Sequence, residues 1–391
     1  MKCELVALGS LCKRVVSGGT PKSTISDYYN GSIPWLNTKE VHFNRIYETE
    51  KTISELGLHN SSAKWISSCC IIIAMYGATA GNVAINLVPL TTNQACCNLE
   101  IDETKADYRY IYYYLSKNYT MLSSLANGGA QQNLNTKLIK DFSIVVPSLQ
   151  VQSNIADILW SIDDKIEINN KINENLEQQA RALLTQWLIE NYGTYEFPLL
   201  SEVAVINPDT YSPKDAWEFV NYLDTSSITD GVISEVQHIK PSTEKLPSRA
   251  RRIVAANDVV FSTVRPKQRH FGIITDPLDN MLASTGFAVV RSNHPSVSNE
   301  LLYLCLTEDS FIEKMQQLAE QSTSTFPSIK PSDLEGCKIP CPVSMNLTKT
   351  LEALFACISN NRKENITLAK LRDDLLPKLM SGEIDVSNSN V

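Results

Sequence analysis

Two segments of the chain carry the same heptad pattern, 192 residues apart. In each segment the seam positions follow alternating steps of four and three residues, and two asparagines recur in register. The first seam is Ile155, Leu159, Ile162, Ile166, Asn169, Asn173, Leu176, Ala180, Leu183 and Trp187; the second is Leu347, Leu351, Leu354, Ile358, Asn361, Asn365, Leu368, Arg372, Leu375 and Leu379. An ordinary core-facing helix satisfies such a pattern for two or three turns, but a second copy in register favours a coiled coil.

The asparagines indicate which helix pairs with which. A buried asparagine in a seam lowers stability but favours a partner asparagine opposite it. We therefore expect the two segments to pair with each other. A whole domain separates them in one chain, so an antiparallel pair related by a pseudo-twofold axis is the simplest arrangement. The pattern leaves open whether the asparagines meet face to face.

The remainder of the chain repeats less closely at a similar interval. The segment "PWLNT" from Pro34 resembles "NYLDT" from Asn221, and "IIIAMYGATAGNVAI" from Ile71 corresponds to "VVFSTVRPKQRHFGII" from Val259. Short runs rich in Ile, Val and Tyr, broken by Gly, Pro and Asn, indicate strands and turns. A Tyr-rich segment from Tyr108 to Leu125 indicates one amphipathic helix.

We therefore expect an α+β fold of two pseudo-twofold-related α/β domains, joined by two long helices that form an antiparallel coiled coil. The predicted segments are a first domain at residues 1–147, a central helix at 148–192, a second domain at 193–340 and a C-terminal helix at 341–391. A helix from Ile155 to Trp187 would span roughly 50 Å.

Composition excludes several classes of protein. No apolar run approaches the roughly 18 residues of a membrane span, and the apolar stretch at the N-terminus is too short for a secretory signal. The pairs Cys69-Cys70 and Cys96-Cys97 lie within apolar strands, which suits reduced core residues better than disulfides. Cys337 and Cys341 have no second Cys or His cluster, so no metal site is expected. These features together predict a cytoplasmic protein.

One stretch of the second domain is strongly basic, although the net charge is −8. Between Ser248 and His270 the sequence has six Arg and Lys residues and a single acidic residue. The turn "VRPKQRHFG" follows an apolar strand directly, and the forked groups of Arg and Gln match the edges of guanine and adenine. We predict DNA contacts from this stretch, with the alternative that it is a solvated surface. The groove or phosphate contacts would be Arg265, Lys267, Gln268, Arg269 and His270, and the flanking phosphate ligands Arg251 and Arg252.

The corresponding loop of the first domain, "YGATAGN" from Tyr76, is small and glycine-rich. A loop that differs between two copies of one scaffold is where the copies are expected to differ in function. The candidate DNA contacts in this domain are Lys22, Tyr76, Thr79, Asn82 and Gln94, each equally well explained as a polar loop or strand-end residue.

Motifs of catalysis are nearly lacking. The sequence has no Gly-Lys-Ser/Thr phosphate loop, no G-x-S-x-G elbow and no H-E-x-x-H. The segment "NPDTY" from Asn207 departs from the Asn-Pro-Pro-aromatic motif of amino-methyltransferases, because Asp209 replaces the second proline. We expect no catalytic residues and no bound cofactor or metal. Two rival functions are a coiled-coil assembly scaffold and a self-contained DNA nuclease or methyltransferase.

Several longer segments point to one known family. They are "LGSLCKRVVSGGTPKS" and "IPWLNTKEV" near the start, "GGAQQNLNTKLIKDFSIVVPSLQVQSNIADILWSIDDKIEINNKINENLEQQA" in the middle, and "LRDDLLPKLMSGEI" near the end. With these segments the sequence resembles, across its whole length, the specificity subunits of type I restriction-modification systems. The segments "FSTVRP" and "FPSIKPSDL" are similar to second-domain segments of the family.

This resemblance implies two target-recognition domains, each of which reads one half of a bipartite double-stranded DNA target. The two helices would set the spacing between the halves and dock two methyltransferase subunits, with restriction subunits in the full complex. S-adenosylmethionine, ATP and Mg²⁺ would then be bound by those partner subunits. The chain itself would be a non-catalytic DNA-recognition subunit.

Overall fold

A computed structural model of the chain describes residues 3–126, 133–321, 326–342 and 345–387. The chain forms two compact units, one of Met1–Ile166 with Ile366–Val391 and the other of Glu167–Asn365. Each unit contains one mixed domain and a part of both long helices. The sequence-based division at residues 147, 192 and 340 separates the helices from the domains, and it stays a prediction. Among the described helices, none is both long and apolar enough to cross a bilayer.

The first unit contains a set of short strands, four short helices and the beginning of a long helix. The strands are β1 (Glu4–Ala7), β2 (Cys12–Ser17), β3 (Tyr29–Leu36), β4 (Asn44–Ile46), β5 (Thr52–Ile53), β6 (Trp65–Ile66), β7 (Ile71–Ala74), β8 (Val83–Asn86), β9 (Leu90–Thr92), β10 (Cys96–Ile101) and β11 (Ser143–Val146). The helices are α1 (Glu55–His59), α2 (Tyr108–Lys117), α3 (Tyr119–Ser124), α4 (Thr136–Asp141) and the long α5 (Leu149–Glu190).

The strands of the first unit form two larger sheets. One has the order β2-β10-β7-β8-β4 and the other β5-β3-β9-β6, while β1 pairs separately with β11. Within the second of these sheets β3 and β9 run parallel, and β5 and β6 are antiparallel to their neighbours.

The second unit repeats this plan. Its strands are β12 (Ala204–Ile206), β13 (Val220–Leu223), β14 (Ile228–Thr229), β15 (Val232–Ile233), β16 (Gln237–Ile239), β17 (Ala250–Ile253), β18 (Asp258–Ser262), β19 (Phe271–Ile274), β20 (Met281–Ser284) and β21 (Phe287–Ser292). Its helices are the end of α5 together with α6 (Leu200–Val203), α7 (Asn299–Leu306), α8 (Asp309–Glu320), α9 (Pro331–Glu335) and most of α10 (Asn346–Ser381), whose last part belongs to the first unit.

The sheets of the second unit have the orders β12-β21-β18-β19 and β16-β13-β20-β17. The first order matches β2-β10-β7-β8, and the second matches β5-β3-β9-β6 strand by strand. The parallel pair also recurs, since β13 runs parallel to β20. The repeated strand order confirms the predicted α+β class and the internal duplication.

Fully buried strands at the centre of each unit separate two cores. In β7, Ile71 and Ile73 pack on the side of α2 and α5, whereas Ile72 and Ala74 pack on the side of β3 and β9. Successive residues of a strand point to opposite faces, so a strand covered on both faces has a continuous apolar run. This explains the "III" and "VVF" runs of the two copies.

The predicted helix from Tyr108 to Leu125 is two helices. Asn118 ends α2 with φ −96° and ψ 22°, outside the helical region, and its side chain donates to the carbonyl of Tyr114 over 2.8 Å. An asparagine competes with the helix for backbone hydrogen bonds in this way. The counterpart in the second unit is also divided, into α7 and α8.

The two long helices pack antiparallel within each unit. In the second unit Asn169 bonds to Asn365 and Asn173 to Asn361, each over 2.8 Å, so one residue number rises as the other falls. In the first unit the guanidinium of Arg372 donates to the carboxylate of Asp163 over 2.8 Å.

The predicted seam residues differ in burial. Those that are buried are Ile155, Leu159, Ile162, Asn169, Leu347, Leu351 and Ile358; those that are half-buried are Ile166, Asn173, Leu176, Leu354, Asn361, Asn365, Leu368 and Leu375. Leu183 requires a correction, because its side chain is 38% exposed whereas Leu184 is 7% exposed and packs in the core of the second unit. An α-helix has 3.6 residues per turn, so a strict heptad drifts by about 20° per repeat, and the buried face moves from position 183 to 184.

Candidate nucleic-acid interface

The predicted contacts at residues 265–270 lie on the turn between β18 and β19. Residues 266–268 form a single 3₁₀ turn, with Arg265 before it and Arg269 after it, both in the left-handed region with φ of 48° and 59°. The N–H of Ser262 donates to the carbonyl of His270 over 2.9 Å and closes the base of the turn. The turn therefore projects from the end of a rigid, buried hairpin.

An open cavity of about 600 Å³ lies beside this turn. Three predicted contacts, Arg265, Gln268 and His270, line it. The other lining residues come from separate parts of the second unit and are Asp224, Thr225, Ser226, Arg249, Val264, Phe326 and Ser328. Hydrogen-bond donors and acceptors thus converge where several strands end.

Arg265 is exposed and is held by contacts with the segment before α9. Its guanidinium carbon lies 4.9 Å from the ring centroid of Phe326, and its backbone N–H donates to the carbonyl of Pro327 over 2.9 Å. Across the described part of the chain it has no carboxylate partner. Its donors are therefore available to a ligand.

His270 presents one ring nitrogen to the protein. Its Nδ1 lies 2.7 Å from the carbonyl oxygen of Ile228 and 3.2 Å from the hydroxyl of Thr229. Since a carbonyl only accepts, Nδ1 carries the hydrogen in this arrangement. The other ring nitrogen, Nε2, is therefore the one that can bond to a ligand in the cavity.

The guanidinium of Arg269 is bonded to other side chains of the protein. It donates to the carboxylates of Asp309, over 2.7 Å, and Asp230, over 2.5 Å. The hydrogen bonds to Asp309 and Asp230 raise the pKa of Arg269 above its usual range. These contacts fix the end of the turn, whereas Lys267 makes one exposed ion pair with Glu313 at 3.4 Å.

The two predicted phosphate ligands on β17 differ from each other. The Nε of Arg251 donates to the carbonyl of Ser248 over 3.3 Å. The Nε of Arg252 is buried and has no hydrogen-bond partner among the residues that the structure describes, and burial lowers the pKa of this guanidinium. Both residues are half-buried, but the Nε of Arg252 is shielded from solvent.

The candidates of the first unit lie on the equivalent turn and near it. Tyr76 is exposed, at the entry to the turn between β7 and β8, and Thr79 is half-buried within it. The amide of Asn82 donates to the carbonyl of Val41 over 2.9 Å, which gives this side chain a structural role. Lys22 is exposed, and Gln94 is exposed and accepts a hydrogen bond from Thr20.

The paired glycines of the "SGGTPKS" segment permit a close backbone approach at this edge. A Cβ on Gly18 would lie 2.1 Å from the carbonyl oxygen of Thr92, and one on Gly19 would lie 2.2 Å from the amide nitrogen of Ala63. No side chain fits such gaps, so only glycine allows the segment to cross here. Lys22 lies three residues after Gly19.

Sequence analysis did not select Arg249, Asp224 or Phe326. Arg249 belongs to the basic stretch and could have been selected from the sequence. Asp224 and Phe326 are far from the turn in sequence, so no local pattern indicates them. Burial opposes ionisation of Asp224, but hydrogen bonds from Tyr222 and Ser226 hold the pKa of its carboxyl below the usual range. The cavity therefore combines exposed cations with one ionised carboxylate.

No cluster of three or more potential metal ligands occurs within the described ranges. The cysteines of those ranges are free thiols, and Cys70, Cys96 and Cys97 are buried.

Comparisons with known proteins agree on one family. Residues 2–178 match the family model described as the type I restriction modification DNA specificity domain. The chain is 30% identical to the type I restriction enzyme MjaIX specificity subunit of Methanocaldococcus jannaschii, over 95% of this chain and 91% of that protein. It is 22% identical to the HindI specificity subunit of Haemophilus influenzae, over 68% and 74% of the two chains.

A solved structure shares the fold. The S subunit of a type I restriction-modification system from M. genitalium superposes with a TM-score of 0.58 at 17% sequence identity, covering 97% of this chain and 96% of that one.

Proposed function

Because this chain belongs to the family of type I restriction enzyme specificity subunits, we propose that it selects the DNA target of such an enzyme, each of its two units reading one half of a bipartite site. The family predicted from the sequence is confirmed. These relatives are named as specificity subunits, and this role agrees with a chain that is not itself catalytic.

The observation that supports this proposal best is the cavity of about 600 Å³ beside the β18–β19 turn. It brings Arg249, Arg265, Gln268 and His270 to the ends of neighbouring strands. Arg and Gln side chains present paired donors and acceptors to base edges in the major groove. The rigid β18–β19 hairpin carries Arg265, Gln268 and His270 and holds these groups in fixed positions, as sequence discrimination requires.

The turn between β7 and β8 serves the same purpose in the first unit. It occupies the same place in the strand order, and Tyr76, Thr79, Lys22 and Gln94 lie on it or near it. The exposed Lys22 is the candidate phosphate ligand of this group, since a lysine binds phosphate as a point charge. Asn82 is the weakest candidate, because its amide is bonded to Val41.

The long helices α5 and α10 set the number of unread bases between the half-sites and bind the partner subunits. Two methyltransferase subunits dock there, and restriction subunits join the full complex. In this proposal S-adenosylmethionine, ATP and Mg²⁺ bind to those partners, and the chain functions in the cytoplasm.

The test is an exchange of the segment from Phe197 to Lys338, which lies within the second unit, for that of a relative with a different target. Cells would carry the hybrid chain with its own methyltransferase subunit, and their methylated motifs would be sequenced. We expect one half of the motif to change and the other half and the spacing to stay. Changes in both halves would contradict the division of labour.

Two controls distinguish the rival functions. A pure assembly scaffold predicts that the unaltered chain with its methyltransferase subunit methylates no defined motif. A self-contained nuclease or methyltransferase predicts activity of the purified chain alone, with Mg²⁺ or S-adenosylmethionine.

A further inference from the structure

We propose that Arg265 reads a guanine in the half-site bound by the second unit, and that the exposed ring of Phe326 orients its guanidinium for this contact. The inference rests on the proposed function and adds to it the base and the pair of residues responsible.

Two arginines of the second unit, Arg249 and Arg265, line the cavity without an ion pair in the described ranges, and of these two Arg265 also contacts an aromatic ring, that of Phe326. Arg269 is bonded to Asp230 and Asp309, and Arg291 is bonded to Asp258 over 2.7 Å. Arg265, in contrast, is exposed and has no carboxylate partner in the described ranges. Its full set of donors faces the cavity that a DNA edge would enter.

The contact with Phe326 gives this free guanidinium a defined orientation. Phe326 is 55% exposed, and its ring centroid lies 4.9 Å from the guanidinium carbon of Arg265. Arginine binds an aromatic face through its planar group and keeps its N–H donors at the edge. Guanine presents two acceptors, N7 and O6, to which such a fork binds bidentately.

The backbone supports the same assignment. Arg265 adopts φ 48°, a conformation that costs energy for a residue with a side chain. The bond from its N–H to Pro327, the bridge between Val264 and Ser328, and the bond from the N–H of Ile329 to Thr263 retain it. The chain thus maintains a strained geometry that places Arg265 and the Phe326 segment side by side.

Asp224 favours a base over a phosphate in its own part of the cavity, which also contains Arg249 and Arg265. Asp224 lines the same cavity, and hydrogen bonds from Tyr222 and Ser226 favour its ionised form. A phosphate placed beside this carboxylate would be repelled by it, whereas a base edge carries no net charge. The same carboxylate could accept from the amino group of the cytosine paired with the guanine.

The experiment uses the chain assembled with its methyltransferase subunits. The Phe197–Lys338 exchange first identifies the half of the motif that belongs to the second unit. Binding is then measured on the cognate duplex and on duplexes in which each G·C pair of that half is replaced by A·T. We expect one replacement to weaken binding by roughly 5- to 150-fold.

Three variants assign that effect. Arg265→Lys keeps the charge but loses the fork, and it should reduce the preference at this pair while binding to unrelated DNA persists. Phe326→Leu should reduce the preference at the same pair only. Lys267→Ala, the matched control on the same turn, should leave the preference intact.

A second-unit half-site without any G·C pair would overturn the inference, as would an Arg265→Lys complex that retains the full preference. Either result leaves the proposed function standing, provided that the exchange alters one half of the motif. An exchange that alters neither half would instead refute the proposed function itself.

Discussion

The amide of Asn169 donates to the carbonyl oxygen of Asn365 over 2.8 Å, so this residue pairs with the counterpart of Asn173 and not with its own. The counterpart of Asn169 in the repeat is Asn361, which bonds to Asn173. Such crossed pairing follows from the antiparallel course of two helices that carry the same pattern. It answers what the sequence left open, since the asparagines do meet.

The polar pairing gives the first prediction. Asn169 is fully buried and donates to both Asn365 and Glu364, so Asn169→Ala removes two hydrogen bonds between the helices and should lower the free energy of unfolding by about 1–3 kcal/mol. The measurement is urea-induced unfolding of the full chain. Gln178→Ala, an exposed change on the same helix, is the control and should be nearly neutral. An equal, small effect of both substitutions would argue against a structural role for the asparagine.

The corrected seam gives the second prediction, from two adjacent leucines. Leu184→Ala should lower the free energy of unfolding by about 2–5 kcal/mol, because it opens a cavity in the core of the second unit. Leu183→Ala removes a side chain that is 38% exposed and should change the stability by about 0.5 kcal/mol or less. Thermal or urea unfolding compares them directly. If Leu183→Ala proved the more damaging, the strict heptad would hold after all.

The β18–β19 turn gives the third prediction, from two neighbouring cations. Lys267→Ala should weaken the binding of the assembled complex to all duplexes alike and reduce the salt slope of log K by about 0.9, the value for one lost phosphate contact. Arg269→Ala should leave the slope unchanged but reduce discrimination between target and non-target DNA, because it frees the end of the turn from Asp230 and Asp309. Binding titrations at several salt concentrations separate these outcomes. A lower slope for Arg269→Ala would restore this residue to the set of phosphate ligands.

The cysteines give the fourth prediction. Burial raises the pKa of the Cys97 thiol to about 12 and that of Cys70 to about 11, so little thiolate exists at these sites near neutral pH. Cys3 and Cys357 are exposed. A thiol reagent at pH 8 should label the two exposed cysteines rapidly and the buried ones only after denaturant is added. Rapid labelling of Cys97 in the native chain would contradict the packing of β10.

Local signals in the sequence were sufficient for the two long helices and the central strands, but not for the division of the Tyr108–Leu125 segment into α2 and α3. The heptad spacing predicted the paired segments of α5 and α10, and the runs at Ile71 and Val259 predicted β7 and β18. Both follow from periodicity, which depends on near neighbours in the chain. The prediction that Leu183 lies in the seam was wrong because the difference between 3.6 and 3.5 residues per turn accumulates along a helix.

The residues that contact the β18–β19 turn could not be predicted in the same way. Phe326 and Asp224 reach Arg265 only through the tertiary fold, and Asp230 and Asp309 reach Arg269 likewise. Nothing local in "VRPKQRHFG" distinguishes an arginine that is free from one that is bonded to two carboxylates. The sequence therefore identified the basic turn. The structure then showed that Arg269 is bonded to two carboxylates and that, within the residues it describes, Arg265 is not.

The strand order that recurs in both units divides the chain into invariant and replaceable parts. The buried hairpins need apolar residues on both faces, while the turns at their tips contribute little to either core. Under the proposed function, new target preferences can arise by substitutions at a few tips, with no compensating change in the packed interior, and the two copies can diverge in this respect independently.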